Sequence, residues 1–270
     1  MTWIPRGGAL VPLGLAGGVV VCAVFPVTGQ QRFVLLETAL LAAFLLAGHA
    51  TVGRPLGALV NERNLFSLSR LQLLLWTAVL LGGYGAMALG RLGSPDPLGV
   101  AVPKELWWLA GISAGSLAGS PLLLAGKAGL VPGPDAAATT ADQLVAAGDA
   151  DTTARTVNDS RVGTLFANPL ASDARWRDLF EGDEVGNAAR VDVAKLQMLF
   201  FTVLLVATYV AALWSALGAP PILDAAVQPI ASLPAVPEGM VALLGLSHAG
   251  YLAQKAADHS ATQQRPAAPK

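Results

Sequence analysis

The sequence predicts an all-α integral membrane protein with about six transmembrane helices, including a duplicated two-helix hairpin in parallel orientation. Three observations support this prediction: a low share of charged residues, apolar runs of membrane-spanning length, and an internal repeat. Of the 270 residues, 54% are hydrophobic and 13% are charged, whereas a soluble domain carries about 25% charged residues. Most of the outer surface is therefore expected to contact lipid.

The apolar residues gather into runs of roughly 20 residues, the length that a helix needs to cross a hydrocarbon core of about 30 Å. The predicted spans cover residues 9–27, 33–49, 71–89, 106–125, 196–217 and 237–257. In the last span, Pro237 suits the first helical position and Lys255 can extend from the last turn to the interface. The first run resembles the apolar core of a signal peptide, but no A-x-A cleavage pattern follows it, so we interpret it as a retained span.

Basic residues fall mainly on one side of these spans. That side holds Arg6, Arg54, Arg63, Arg70, Lys127, Arg155, Arg161, Arg175, Arg177, Arg190, Lys255, Arg265 and Lys270, and the other holds Arg32, Arg91 and Lys104. Because Lys and Arg accumulate in cytoplasmic loops, both termini are expected to be cytoplasmic. If the first run were cleaved or re-entrant, the N-terminus would lie outside and the other assignments would stand.

The internal repeat joins two helical hairpins. Residues 70–77 read R-L-Q-L-L-L-W-T and residues 195–202 read K-L-Q-M-L-F-F-T, with a tyrosine seven residues further on in both copies. The matched pairs are Arg70 with Lys195, Gln72 with Gln197, Thr77 with Thr202, Tyr84 with Tyr209, and Ser113 with Ser247. Each copy contains two spans, so both copies insert the same way round and a pseudo-twofold axis along the membrane normal relates them.

These elements predict five regions. Residues 1–53 form an N-terminal pair of membrane helices, 54–126 the first hairpin with a preceding interfacial segment, 127–191 a cytoplasmic loop, 192–257 the second hairpin, and 258–270 a disordered tail. The loop is expected to be partly ordered, with one or two short helices. Its stretch around Trp176, Leu179 and Phe180 is predicted to lie as an amphipathic helix at the membrane interface and to dock a partner.

The repeat resembles a group of uncharacterised bacterial multi-pass inner-membrane proteins. In that group an S-R-x-Q-x-x-L-W-T span is followed by a span ending in L-x-G-I-S-x-x-x-Y-L-x-x-K. The match lies in residues 69–77 and 243–255 and covers the hairpins, not the first two spans or the loop. The resemblance implies a bacterial inner membrane and no particular biochemical activity.

Polar side chains within the spans are the candidate functional residues, because a polar group in lipid needs a partner or a polar pathway. They are Glu37, Gln72, Thr77, Ser113, Gln197, Thr202, Ser247 and His248. Hydrogen bonding between helices is the simpler interpretation for the Gln and His residues. The Ser and Thr hydroxyls are expected to bond back to carbonyls of their own helices. Glu37 either reaches the interface or contributes to a carboxylate ring at the mouth of an oligomeric cation pore.

Several classes of function find no support in the sequence. The net charge of -1 gives no basic field for nucleic acid. We find no phosphate-binding glycine loop, H-E-x-x-H or G-x-S-x-G pattern, so neither an enzyme nor a metal site or cofactor is predicted. The acidic residues Glu181, Asp183 and Glu184 are expected to lie in a solvated loop.

Two hypotheses follow. The leading one is a homo-oligomeric membrane channel or pore-forming protein. The alternative is a non-conducting membrane anchor or assembly subunit that docks a soluble complex through its cytoplasmic loop. The expected partners are the lipid bilayer, further copies of the chain and, in the second case, a soluble protein.

Overall fold

The chain is all-helical in the computed structural model, which describes residues 10–149, 152–218 and 232–260. The long helices are α1 (Leu10–Val24), α2 (Gly29–Val52), α3 (Leu68–Gly90), α4 (Lys104–Ala125), α7 (Val193–Gly218) and α8 (Glu238–Ala256), with the shorter α5 (Ala136–Ala146) and α6 (Ala154–Ser160) between α4 and α7. Within these described ranges there are isolated β-bridges and no β-strand. A helix therefore occupies each predicted span.

Four of these helices, α2, α3, α4 and α7, are long and apolar enough to cross a membrane. Helix α1 is apolar but has 15 described residues. Helix α8 has 19 residues, and the polar side chains of Ser247, His248, Gln254 and Lys255 lower its hydropathy. Length and composition thus support four spans directly.

Polar N-cap residues extend two helices beyond their apolar runs. The Thr28 hydroxyl accepts a hydrogen bond from the Gln31 amide at 3.2 Å, and the Gln31 side chain accepts one from the Thr28 amide at 2.9 Å. This capping box starts α2 four residues before the predicted boundary at residue 33. Asp192 acts similarly at α7, where its Oδ1 accepts from the amides of Ala194 (2.9 Å) and Lys195 (3.1 Å).

The chain divides into two compact units. Unit 1 comprises Met1–Ala58, Leu71–Ile112 and Thr202–Leu243, and unit 2 comprises Leu59–Arg70, Ser113–Phe201 and Leu244–Lys270. In unit 1, α1 packs along α2. The ring of Trp76 meets that of Tyr209 edge-on, with ring centroids 5.9 Å apart, and both side chains are buried.

Unit 2 contains the predicted loop, residues 127–191, which we call the cap. In its described part the cap is folded: α5 and α6 enclose a small cluster of Ala137, Ala141, Val157 and Val185. Two 3-10 turns follow, Ala171–Asp173 and Trp176–Leu179. Phe166 packs against this cluster, and Leu144, Leu165 and Leu179 of the cap are buried as well.

The predicted docking segment has a different form in the structure. Residues Trp176–Leu179 make one 3-10 turn, not an amphipathic helix. Leu179 is buried at 3% exposure and Phe180 is half-buried, whereas Trp176 is 55% exposed and packs edge-on against Phe66 with centroids 5.4 Å apart. Of the three side chains, Trp176 is the one that offers a large exposed surface.

The start of the predicted disordered tail is packed against the cap. Ser260 is buried, its carbonyl accepts a hydrogen bond from Gly133, and its hydroxyl accepts one from Gly186. The remainder of the tail, with Arg265 and Lys270, lies outside the described residues, as does Arg6.

Candidate functional site

The most heavily charged part of unit 2 surrounds the carboxylate of Asp183. Its Oδ1 lies 2.6 Å from Nη2 of Arg63, and its Oδ2 lies 2.5 Å from Nζ of Lys255 and 3.3 Å from Nζ of Lys195. Arg63 also donates to the backbone carbonyls of Asp183 (2.8 Å) and Phe166 (3.0 Å). One cap carboxylate therefore contacts three cations from three different segments.

The neighbouring Glu184 forms a second buried ion pair. Its Oε1 lies 2.5 Å from Nζ of Lys127, and both carboxylate oxygens accept from the amide of His259 at 3.2 Å. Lys127 also donates to the carbonyl of Ala257. We call Arg63, Lys127, Asp183, Glu184, Lys195 and Lys255 the Asp183 cluster.

The cations of this cluster reach it from helix ends. Lys195 lies in the first turn of α7, Lys255 in the last turn of α8, and Lys127 two residues after α4. Arg63 precedes α3. Positive charge is favourable at the C-terminal ends of α4 and α8, where the helix dipole is negative. Arg63, Lys127 and Lys255 are among the basic residues that the sequence predicts on one side of the spans.

The electrostatics of Asp183 are dominated by its partners. Burial by itself raises the pKa of this carboxyl, but the charges of Lys195, Lys255 and Arg63 outweigh burial and hold the pKa well below its usual range. Burial raises the pKa of the nearby Asp178 and Glu181. Asp183 is therefore ionised at neutral pH and contributes stability through its ionised form.

This lowered pKa predicts a specific loss of stability in acid. Below about pH 3.9 the unfolded chain binds a proton at residue 183 and the folded chain does not. The free energy of unfolding should then fall by about 1.4 kcal/mol per pH unit relative to an Asp183→Asn variant. Thermal unfolding of both proteins in detergent micelles from pH 7 to pH 2.5 measures this difference.

The comparison with Asp183→Asn cancels the titrations of Asp178 and Glu181, whose raised pKa values act with the opposite sign. A constant difference between the two proteins over this whole range would contradict the assignment.

A row of buried polar side chains leads along α4 and α8 to this cluster. Ser116 hydrogen-bonds to Nδ1 of His248. The hydroxyl of Tyr251 lies 3.2 Å from that of Ser69 and 3.5 Å from that of Ser120. The members of the polar row are Ser69, Ser113, Ser116, Ser120, Ser247, His248 and Tyr251, all buried.

Helical spacing aligns the row. On α4 the serines recur at positions 113, 116 and 120, and on α8 the polar residues recur at 247, 248, 251 and 255, which puts each set on one face. Nζ of Lys255 lies 4.8 Å from the ring centre of Tyr251 and so joins the row to the Asp183 cluster. The hydroxyls of Ser113 and Ser247 have no hydrogen-bond partner among the described residues. Two buried hydroxyls at matched positions of the repeat are thus free to bind water or an ion.

The two repeated glutamines have different surroundings. Gln72 is fully buried and its Nε2 donates to the hydroxyl of Thr202 at 2.6 Å, both within unit 1. Gln197 is exposed and Thr77 is half-buried. The hydrogen bond thus joins α3 to α7 within unit 1.

Glu37 lies inside unit 1. It is half-buried, and a Cβ atom added to Gly82 would overlap its carboxylate, so the carboxylate packs against α3 where that helix has no side chain. Its Oε1 has no hydrogen-bond partner among the described residues.

The Asp183 cluster was missed at the level of sequence. Asp183 and Glu184 were expected to lie in a solvated loop, and this expectation is wrong, because their exposures are 8% and 1%. The available signals were the run of acidic residues at positions 181, 183 and 184 and the basic residues near the ends of α4, α7 and α8. Sequence separations of 57 to 120 residues conceal such pairings.

Comparison with known proteins adds no relative: no protein-family model, curated protein or solved structure matches this chain. The Asp183 cluster and the polar row must therefore be interpreted from their own chemistry.

Proposed function

We propose that this protein is a multi-pass membrane protein that conducts ions, with the polar row as part of its permeation path. The observation that carries the proposal is the burial of seven hydroxyl, phenol and imidazole groups on facing surfaces of otherwise apolar helices. Polar side chains are expensive inside a membrane, and where they occur they commonly line ion or substrate pathways. The unpaired hydroxyls of Ser113 and Ser247 are the groups that an ion or water would use.

The proposed topology has six spans in a bacterial inner membrane, with both termini on the cytoplasmic side. Helix α8 is about 28 Å long, close to the thickness of the hydrocarbon core. Its hydropathy is lower because it carries Ser247, His248 and Lys255, and these side chains are buried. Exposed apolar residues on other helices, such as Phe200, Val203 and Leu204 on α7, suit contact with lipid. The resemblance of residues 69–77 and 243–255 to bacterial inner-membrane proteins motivates the location.

The proposed duplication of the hairpins is supported by local structure before each first helix. Nη1 of Arg70 donates to the carbonyl of Val60 at 2.6 Å, and Nζ of the matched Lys195 donates to that of Glu181 at 2.5 Å. Val60 and Glu181 each take part in an isolated antiparallel β-bridge. In both hairpins, the matched cation thus donates to the carbonyl of a bridge residue that precedes the helix, 10 residues earlier for Arg70 and 14 for Lys195.

Assembly of several copies belongs to the same proposal, but the path does not depend on a ring of Glu37 carboxylates. That side chain is directed at α3 of its own chain, whereas the polar row is complete within unit 2 of one chain. The row is therefore the better supported path.

Purified protein reconstituted in planar bilayers tests the proposal. Wild-type protein should conduct, and Ser116→Leu should reduce the current per protein about tenfold or more, because an apolar side chain in the row raises the barrier by at least ~1.4 kcal/mol. The matched control is Ser215→Leu, which makes the same change at an exposed position of α7 and should leave the current unchanged.

Absence of current from the wild-type protein across voltage, pH and calcium concentration would contradict the proposal. Helix content and elution volume of each variant in detergent show whether a lost current reflects a lost fold.

The non-conducting anchor is the second candidate function, and one observation favours it. The folded cap presents Trp176 at 55% and Leu170 at 62% exposure, which suits a docking surface for a soluble protein. This candidate would be favoured if bilayers with the protein carried no current, and if wild-type protein recovered a partner that Trp176→Ala did not.

A further inference from the structure

We infer that the conducted species is an anion, and that the Asp183 carboxylate occupies an anion-binding site at one end of the polar row. The conduction of the anion rests on the proposed function. The binding site itself rests on the contacts around Asp183, and the two can be tested separately.

The charges in contact with Asp183 are unbalanced. Three cations, Arg63, Lys195 and Lys255, lie within 3.3 Å of its two oxygens. Lys195 is also attracted by the carboxylates of Asp178 and Glu181, and Glu181 pairs with Arg177 at 3.5 Å as well. The other adjacent acids are engaged elsewhere, since Glu184 pairs with Lys127 at 2.5 Å and Asp192 caps α7. Asp183 is therefore the one carboxylate among the described residues that pairs with Arg63 and Lys255, and without it these two cations would attract another anion.

The donors are of the kind that recognises a small anion. A planar guanidinium and two ammonium groups converge on the carboxylate oxygens, and such groups select anions where they line a pore. If Asp183 were removed, a metal cation at this end of the row would meet Arg63 and Lys255, which pair with no other carboxylate among the described residues. The neutral row continues the same chemistry, since the hydroxyls of Ser116, Ser120 and Tyr251 can donate hydrogen bonds to an anion.

The carboxylate belongs to the cap, whereas Lys195 and Lys255 belong to helices α7 and α8. A cavity beside Asp183, Glu184 and Lys255 measures about 10 Å³, which is the space of one water molecule. No further ion fits while Asp183 is in place. The Asp183 carboxylate thus acts as a plug, that is, an anion covalently attached to the cap that blocks the path. Conduction therefore requires this part of the cap to move away from Lys195 and Lys255.

Chemical rescue tests the site without measuring conduction. The full chain with Asp183→Ala is purified in detergent, and sodium formate replaces sodium gluconate at constant ionic strength. Formate has the size of the missing carboxylate, so the unfolding midpoint of the variant should rise in a saturable manner. Wild type should not respond, because its site is filled.

The matched control is Glu62→Ala, which removes a carboxylate that is 77% exposed and pairs with Arg70. An equal response in this control, or no response in Asp183→Ala, would overturn the anion site. If Asp183→Ala unfolds when it is extracted from the membrane, the variant is purified once in formate and once in gluconate, and the folded state of the two preparations is compared. Folded protein in formate alone supports the site, and unfolded protein in both salts overturns it.

Selectivity is then measured in planar bilayers under a potassium chloride gradient. Reversal near the chloride equilibrium potential, with a larger current in Asp183→Ala than in wild type, supports an anion path with Asp183 as its plug. Reversal near the potassium equilibrium potential overturns the anion path and leaves the channel proposal standing. Absence of current from both wild type and variant overturns the channel proposal, while the rescue experiment still tests the binding site.

Discussion

Asp183→Asn should lower the free energy of unfolding by about 3–5 kcal/mol, the cost of removing one partner from a buried ion pair. The side chain of Asp183 is 10% exposed, and those of Arg63, Lys195 and Lys255 are 11%, 6% and 4% exposed. An asparagine leaves these three cations buried without their counter-charge. Thermal or denaturant unfolding of the full chain in detergent micelles measures the change.

Glu62→Gln is the control for this prediction. It makes the same change from carboxylate to carboxamide, at an ion pair of equal length: Glu62 lies 2.5 Å from Arg70. The side chain of Glu62 is 77% exposed, and such surface pairs contribute about 0–1 kcal/mol. Similar losses in the two variants would contradict the burial of the Asp183 cluster and with it the proposed anion site.

Gly163→Ala is the second prediction with a large effect. Gly163 has φ = +64°, a left-handed conformation that costs other residues about 1–2 kcal/mol. A Cβ atom there would also overlap the backbone carbonyls of Lys127 and Ala128, which adds about 1–3 kcal/mol. The expected total is about 2–5 kcal/mol, measured by unfolding in detergent. Because Lys127 lies in the overlapped segment, its ion pair with Glu184 should weaken as well.

Gly53→Ala separates the two causes. Gly53 has a similar φ of +77° at the end of α2, but a Cβ atom there would meet nothing within 4 Å. This variant should therefore lose the conformational part alone. If Gly53→Ala and Gly163→Ala are equally unstable, the close approach of Gly163 to the Lys127 backbone does not matter for stability.

Much of the helical layout could be predicted from the sequence. The run predicted at 106–125 corresponds to α4 at Lys104–Ala125, and that at 237–257 to α8 at Glu238–Ala256. The errors lie at helix starts, where Thr28 and Asp192 extend α2 and α7 into polar sequence. Apolar periodicity indicates the buried or lipid-facing length of a helix, whereas the position of the N-cap residue depends on one polar side chain outside that length.

The candidate site was predicted in part. Ser113, Ser247 and His248 were identified because a polar residue stands out in an apolar run, and all three are buried in unit 2. Ser116 and Ser120 were not identified, because serine is common in membrane spans and carries no distinguishing pattern. Tyr251 is part of the motif at residues 243–255, but the motif gave no reason to assign it to a site. Gln197, the repeat partner of Gln72, is exposed, so sequence identity between the copies did not imply the same surroundings.

The sequence by itself determined which segments are helical, since helix length and apolar composition are local properties of the chain. Only the tertiary structure decided that Asp183, 120 residues from Arg63 and 72 residues from Lys255, is the carboxylate on which these charges converge. The physical reason is that an ion pair depends on distance and burial in the folded chain, and a solvated and a buried acidic loop have the same sequence pattern.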